Sequence, residues 1–108
     1  MLSLTHSRIF LFRGKTDMRK SFDGLQALVG LHFPDQLQAG HLFVFLNRRR
    51  TMLKALYWDG DGLALWSKRL AQGCFRKLPG EEAQIDRREL LMLLEGIAPK
   101  RLHKRVRI

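Results

Sequence analysis

Asp59 and Asp61, set in the run Asp59-Gly60-Asp61-Gly62, are close enough in sequence to share a magnesium ion for phosphoryl chemistry, with glycine carbonyls helping. The same run is a strong turn signal, because Asp before Gly suits positions of positive φ. A calcium loop would need further oxygen ligands and a Glu at its twelfth position, and Arg48 to Arg50 and Lys68-Arg69 offer cations to neutralise both aspartates. The turn reading is therefore preferred. Asp17 is accounted for by a helix start and Asp35 by a Pro-Asp turn, which leaves no carboxylate triad for a two-metal nuclease. His6, His32, His41 and His103 are isolated, with no His-x-His or His-Glu-x-x-His spacing to put two ligands on one face. Ser7, Ser21 and Ser67 lack a nucleophile-elbow context, and Cys74 is expected to pack rather than react. Gly14-Lys15-Thr16 looks like the end of a Walker A motif, yet Ser7 to Arg13 holds no glycine, so it reads as a turn. No catalytic residue, metal or cofactor is expected.

Positive charge is the stronger signal. Twenty Lys+Arg stand against ten Asp+Glu, a formal net charge of +10 that favours a polyanionic partner, nucleic acid first. The charge is clustered. Arg13, Lys15, Arg19 and Lys20 surround the first helix start, Arg48, Arg49 and Arg50 crown a hairpin, and Lys68-Arg69 and Arg76-Lys77 sit on later strands. Lys100, Arg101, Lys104, Arg105 and Arg107 make a C-terminal run without acids, typical of an arm that orders on meeting a polyanion. Some of these cations must be structural. Tyr57, Trp58 and Trp66 could stack on unpaired bases, but aromatic residues in a small sheet serve the core more often, and they are read as core.

The elements that must position these residues can be read from periodicity and turn chemistry. Arg8 to Phe12 is an apolar, aromatic run bounded by Gly14 and predicts a first strand buried on both faces. Thr16 offers an N-cap oxygen, and Met18, Phe22, Leu25 and Val29 follow at helical spacing, with an end expected near Gly30. His41 to Leu46 and Met52 to Trp58 predict a hairpin whose tip is Asn47 to Thr51. Leu63 to Leu70 returns as a further strand after the Asp-Gly turn, with Leu63, Leu65 and Ser67 on one side and Ala64, Trp66 and Lys68 on the other. Gly73 opens a short strand expected from Cys74 to Leu78, ended by Pro79. Asp86 caps a last helix with Glu89 in capping-box position and Leu90, Leu91, Leu93, Leu94 and Ile97 as its apolar face.

A chain of 108 residues that is 45% hydrophobic and 28% charged suits one core and is too short for a ribonuclease-H-like transposase, a TIM barrel or a two-domain dehydrogenase. One domain is expected over residues 1–98, with 99–108 as a basic tail. The expected class is α+β, in the order β-α-β-β-β-β-α: a small, mainly antiparallel sheet with both helices covering one face. The single cysteine excludes an internal disulfide, the N-terminus lacks a signal-peptide pattern, and no apolar run is long enough for a membrane span. A cytoplasmic protein is expected.

The ordered series Thr16-Asp17-Met18-Arg19-Lys20-Ser21-Phe22-Asp23-Gly24-Leu25, Gly40-His41-Leu42-Phe43-Val44-Phe45, Trp58-Asp59-Gly60-Asp61-Gly62 and Lys68-Arg69-Leu70, with Gly73 and Phe75, closely resembles one family. It is similar to TnpB, the second-open-reading-frame accessory protein of the IS sixty-six family of bacterial insertion sequences, which is unrelated to the RNA-guided nuclease of the same name. The resemblance runs from Arg8 to Pro79 and more loosely through the Leu90 to Ile97 helix. Ser21 stands where Gly is frequent, and Cys74 where Arg or Lys is common. What the resemblance implies is a protein encoded beside a larger transposase and needed for efficient transposition, with no established catalytic residue or cofactor. Two expectations follow. In one, the protein binds element DNA, or transposase-bound DNA, through Arg48, Arg49, Arg50, Lys68, Arg69 and the basic residues of the tail. In the other it is an adaptor that docks on the transposase through an exposed apolar strip of the last helix, without direct DNA contact.

Overall fold

The computed structural model describes residues 8–96. Its elements run β1 (Ile9–Lys15), α1 (Phe22–His32), β2 (Leu42–Leu46), β3 (Met52–Trp58), β4 (Leu63–Arg69), β5 (Gln84–Ile85) and α2 (Arg87–Glu95), with a short 3-10 turn at Leu37–Ala39. The strands make one sheet in the order β4-β3-β2-β1-β5. β1 and β2 are parallel, joined by α1 as a crossover, and every other pairing is antiparallel. The α+β class and the element order agree with the sequence reading.

Three features differ from it. The helices lie on opposite faces of the sheet, not on one. Phe10, Phe43, Phe45 and Leu56 meet Leu25 and Val29 of α1 on the first face. Ile9, Leu11, Leu42, Val44, Leu53 and Ala55 meet Phe75, Leu78, Leu90 and Leu93 on the second. The reason is visible in β2, where all five residues are apolar and all five are buried. A strand whose successive side chains point to opposite faces can hide such a run only between two layers. The second difference is that Cys74 to Leu78 is not a strand. Only Cys74 makes an isolated bridge, and this stretch instead drops Phe75 and Leu78 into the second core as a loop. The fifth strand is Gln84–Ile85, which pairs with Ile9 and Phe10 at the outer edge of β1.

Third, Thr16 does not cap α1. The helix begins at Phe22 with Ser21 in the N-cap position and runs on through Gly30 to His32. Residues 17–20 form a turn instead, in which the Asp17 carboxylate accepts the Arg19 N–H at 2.9 Å and the Lys20 N–H reaches the Asp17 carbonyl. An Asp that satisfies a backbone donor two residues ahead offers the chain an alternative to helix. At α2 the sequence reading holds closely: Asp86 accepts from the Glu89 N–H at 2.7 Å, and Glu89 accepts from the Asp86 N–H at 3.0 Å. Leu90 and Leu93 are fully buried, Leu94 packs against the same cluster, and Ile97 lies outside the described residues. No helix among the described residues is long and apolar enough to cross a membrane.

Candidate nucleic-acid interface

The β2–β3 hairpin tip is built by Asn47. Its side-chain oxygen accepts from the N–H groups of Thr51 and Met52 at 2.9 and 3.0 Å, and its carbonyl accepts from the Arg50 N–H at 3.1 Å. This closes a four-residue turn whose corner is Arg48 and Arg49, both exposed. Arg50 then takes a left-handed conformation, φ 59°, which reverses its direction relative to its neighbours. Its guanidinium donates to the carbonyl oxygens of Phe75, at 3.0 Å, and Arg76, while the Phe75 N–H returns a bond to the Arg50 carbonyl at 2.6 Å. Burial draws the Arg50 pKa below its ordinary value, though an arginine stays charged. Three consecutive arginines thus divide into two that face solvent and one that ties the 75–76 loop to the hairpin.

Two other basic side chains are likewise spent on carbonyls. Arg13 donates to the carbonyls of Glu82 at 2.9 Å, Leu78 at 3.0 Å and Pro79 at 3.4 Å. Lys54 is only 8% exposed, and its ammonium holds the carbonyls of Met18 at 2.8 Å and Lys20 at 2.7 Å. The two backbone oxygens satisfy the buried side chain without a carboxylate. Lys54 thereby fixes the 17–20 turn against the end of the sheet.

That turn carries Arg19 to the hairpin. Thr16, Asp17, Met18 and Arg19 on one side, Asn47, Arg48 and Arg49 on another, and Met52 and Arg69 on the floor enclose an open depression of about 520 Å³. Its one carboxylate, Asp17, is already engaged. Arg19 donates to it at 2.7 Å from a side chain that is 91% exposed, and these hydrogen bonds hold the carboxyl down at about 2. The Arg19–Asp17 pair is the one ion pair among the described residues, so Arg48, Arg49 and Arg69 converge without a counter-charge. Guanidinium groups are fork-shaped donors of the kind that match the oxygens of a small anion such as a phosphate.

Of the residues picked from sequence, the structure brings Arg48, Arg49 and Arg69 together and adds Arg19. Arg50 turns away into the loop contacts. Lys68 points to the opposite sheet face from Arg69, since it is paired with Leu53 and Arg69 with Met52. Lys100, Arg101, Lys104, Arg105 and Arg107 lie outside the described residues. Arg19 was visible as a basic residue near the helix start, but its place at the hairpin follows from the Asp17 turn. Tyr57 and Trp66 are half-buried against the second core, and Trp58 is half-buried with its indole N–H on the Gly60 carbonyl at 3.1 Å.

Asp59 and Asp61 stand at the other end of β3 from the arginines. The strand is 7 residues long, which separates the two ends by about 20 Å, so the expected neutralisation by Arg48 to Arg50 or Lys68-Arg69 does not occur within a chain. The run is a turn: the Asp59 N–H reaches the Gly62 carbonyl at 2.7 Å, and Gly60 has φ 76°. Among the described residues no group of three or more His, Cys, Asp or Glu could hold a metal ion. Of the apolar strip expected to be free on α2, Leu90, Leu93 and Leu94 are packed on the sheet, Met92 is exposed, and Ile97 lies outside the described residues.

Comparison with known proteins gives a family. Residues 7–104 match the family described as IS66 Orf2 like protein. The chain is 36% identical over 92 residues to uncharacterized protein y4hO of Sinorhizobium fredii (strain NBRC 101917 / NGR234), an alignment covering 83% of this chain and 80% of that protein. It is 38% identical over 68 residues to uncharacterized protein y4jC of the same strain, covering 63% of this chain and 58% of that protein's length. No solved structure matches. The chain belongs to the IS66 Orf2-like family, an accessory family that supports a role in insertion-sequence transposition and is not a known catalytic one.

Proposed function

We propose that the protein assists transposition by binding the DNA phosphate backbone at the arginine depression formed by Arg19, Arg48, Arg49 and Arg69. The observation that carries this reading is the convergence of three separate segments on one open site with one carboxylate, itself already paired. Cations on a surface are usually dispersed or matched by acids. Here Asn47 and Lys54 hold the hairpin tip and the 17–20 turn in place, so the donors are positioned before any ligand arrives. Contacts of this kind set orientation on a duplex and carry no sequence information of their own.

The test compares two double substitutions of equal charge, Arg48→Ala with Arg49→Ala and Arg87→Ala with Arg88→Ala, the latter pair being exposed in the first turn of α2. Fluorescence anisotropy on a labelled duplex is expected to show binding weakened about tenfold or more by the first pair and much less by the second. Equal loss from both pairs would reduce the depression to general surface charge. No binding by the unaltered protein at low salt would exclude the reading.

A further inference from the structure

β4 (Leu63–Arg69) is an outer edge of the sheet and is 7 residues long. Its register against β3 is unbroken from Met52↔Arg69 to Trp58↔Leu63. It contains no proline and no bulge, and Leu63, Ala64, Leu65 and Trp66 are all half-buried. Edges of this kind pair with another strand unless they are blunted. The hydrogen bonds tell which groups are free. Leu70 N–H to Thr51 carbonyl and Asp59 N–H to Gly62 carbonyl mark two hydrogen-bonded pairs, and such pairs alternate along an antiparallel ladder. Ala64, Trp66 and Lys68 therefore bond inward to β3. Leu63, Leu65, Ser67 and Arg69 present N–H and C=O outward, with no partner strand among the described residues.

We infer that this edge pairs with β4 of a second copy of the chain, antiparallel and centred on Leu65. In that register the outward-facing residues meet each other: Leu65 opposes Leu65 of the second copy, and Leu63 opposes its Ser67. On the other sheet face Ala64 opposes Trp66 of the second copy, small against large. Just beyond the strand, the turn that carries Asp61 borders Arg69 of the second copy, within reach of its long side chain, and the two-fold axis repeats that pair. Sliding by two residues one way sets Arg69 against Leu63; sliding the other way sets Ala64 against Ala64 and Gly62 against Trp66. Only the Leu65-centred register combines backbone parity, side-chain fit and the charge pair. It also gives Asp61 a cation that no described residue of its own chain supplies. Arg69 lies at the boundary between this pairing and the arginine depression, and the two can be separated experimentally because Asp61 is at the far end of β4.

Analytical ultracentrifugation of the full chain tests this, at concentrations up to about 200 μM, the range in which micromolar association is visible. The unaltered protein is expected to form a dimer with concentration. Asp61→Arg and Arg69→Asp each set like charges opposite one another and are expected to weaken it about tenfold or more, while the double variant carrying both restores it. Both side chains are exposed, and circular dichroism confirms that the variants fold. Ser67→Pro removes an outward N–H without touching the β3 ladder and is expected to abolish the dimer. A monomer at every concentration, or a dimer that survives Asp61→Arg and Ser67→Pro unchanged, would overturn the inference. Failure of the double variant to recover would overturn the Leu65-centred register.

Discussion

Arg50→Ala separates a structural arginine from its binding neighbours within three consecutive residues. The substitution leaves the carbonyls of Phe75 and Arg76 without the guanidinium that now serves both. Hydrogen bonds to a charged group contribute about 1.5–3 kcal/mol each when protected from water. Arg50 is half-exposed, so water replaces part of the loss, and about 2 kcal/mol for the pair is the expected cost. Alanine gains nothing from the backbone, because it keeps the strained φ of 59°. Glycine does gain, by about 1 kcal/mol in a left-handed position, so Arg50→Gly is expected to cost only about 1 kcal/mol. For a domain of this length 2 kcal/mol corresponds to about 8 °C in melting temperature. Urea unfolding followed by the fluorescence of Trp58 and Trp66 measures the difference. Arg48→Ala and Arg49→Ala are expected to stay within about 0.5 kcal/mol of the unaltered protein, while the two together are expected to weaken DNA binding about tenfold or more. An Arg50→Ala protein as stable as Arg48→Ala would mean that the guanidinium does not hold the 75–76 loop, and an Arg50→Gly protein less stable than Arg50→Ala would mean that the positive φ carries no strain.

Three further outcomes follow from the same contacts. Lys54→Met leaves the Met18 and Lys20 carbonyls unpartnered and is expected to cost about 2 kcal/mol in urea unfolding; because the turn that carries Arg19 loosens, DNA affinity in the folded protein should fall as well. His41 is buried, with no hydrogen-bond partner for Nδ1 among the described residues, and burial together with the charge of Arg8 holds its pKa below 6.5. The unfolded chain then binds a proton that the folded one resists, so stability is full above pH 6.5 and falls as pH drops through and below it. His41→Gln should flatten that fall in unfolding curves taken at a series of pH values. Asp86→Ala removes the capping box of α2 and is expected to cost about 1 kcal/mol, read in the same denaturation assay, with no change in DNA affinity.

The strands of the hairpin were legible because alternating and continuous apolar runs are bounded there by polar turns. Met52 to Trp58 was read to the residue. The two-sided cover of the sheet was also present in the composition of β2: five apolar residues in succession demand two layers, and placing both helices on one face ignored that demand. The start of α1 was misplaced because Thr16-Asp17 satisfies the general pattern of a helix cap, while the competing Asp17 turn depends on Lys54, 34 residues from Lys20 in sequence. Phe75 and Leu78 resemble strand residues locally, yet their role is set by Arg13 and Arg50 binding the surrounding carbonyls. At the candidate site, charge clustering identified Arg48, Arg49 and Arg69. The division of Arg50 from Arg48 rests on a positive φ at a non-glycine residue, which no local pattern announces.

The most direct test of the account is the salt dependence of binding to a labelled terminal duplex of the insertion sequence and to a scrambled duplex, with the unaltered protein and with Arg48→Ala/Arg49→Ala. Each phosphate contact contributes about 0.9 to the slope of log affinity against log salt concentration. The unaltered protein is expected to show equal slopes on both duplexes, and the double variant a slope shallower by about 1.8. A double variant with unaltered affinity and slope would contradict it.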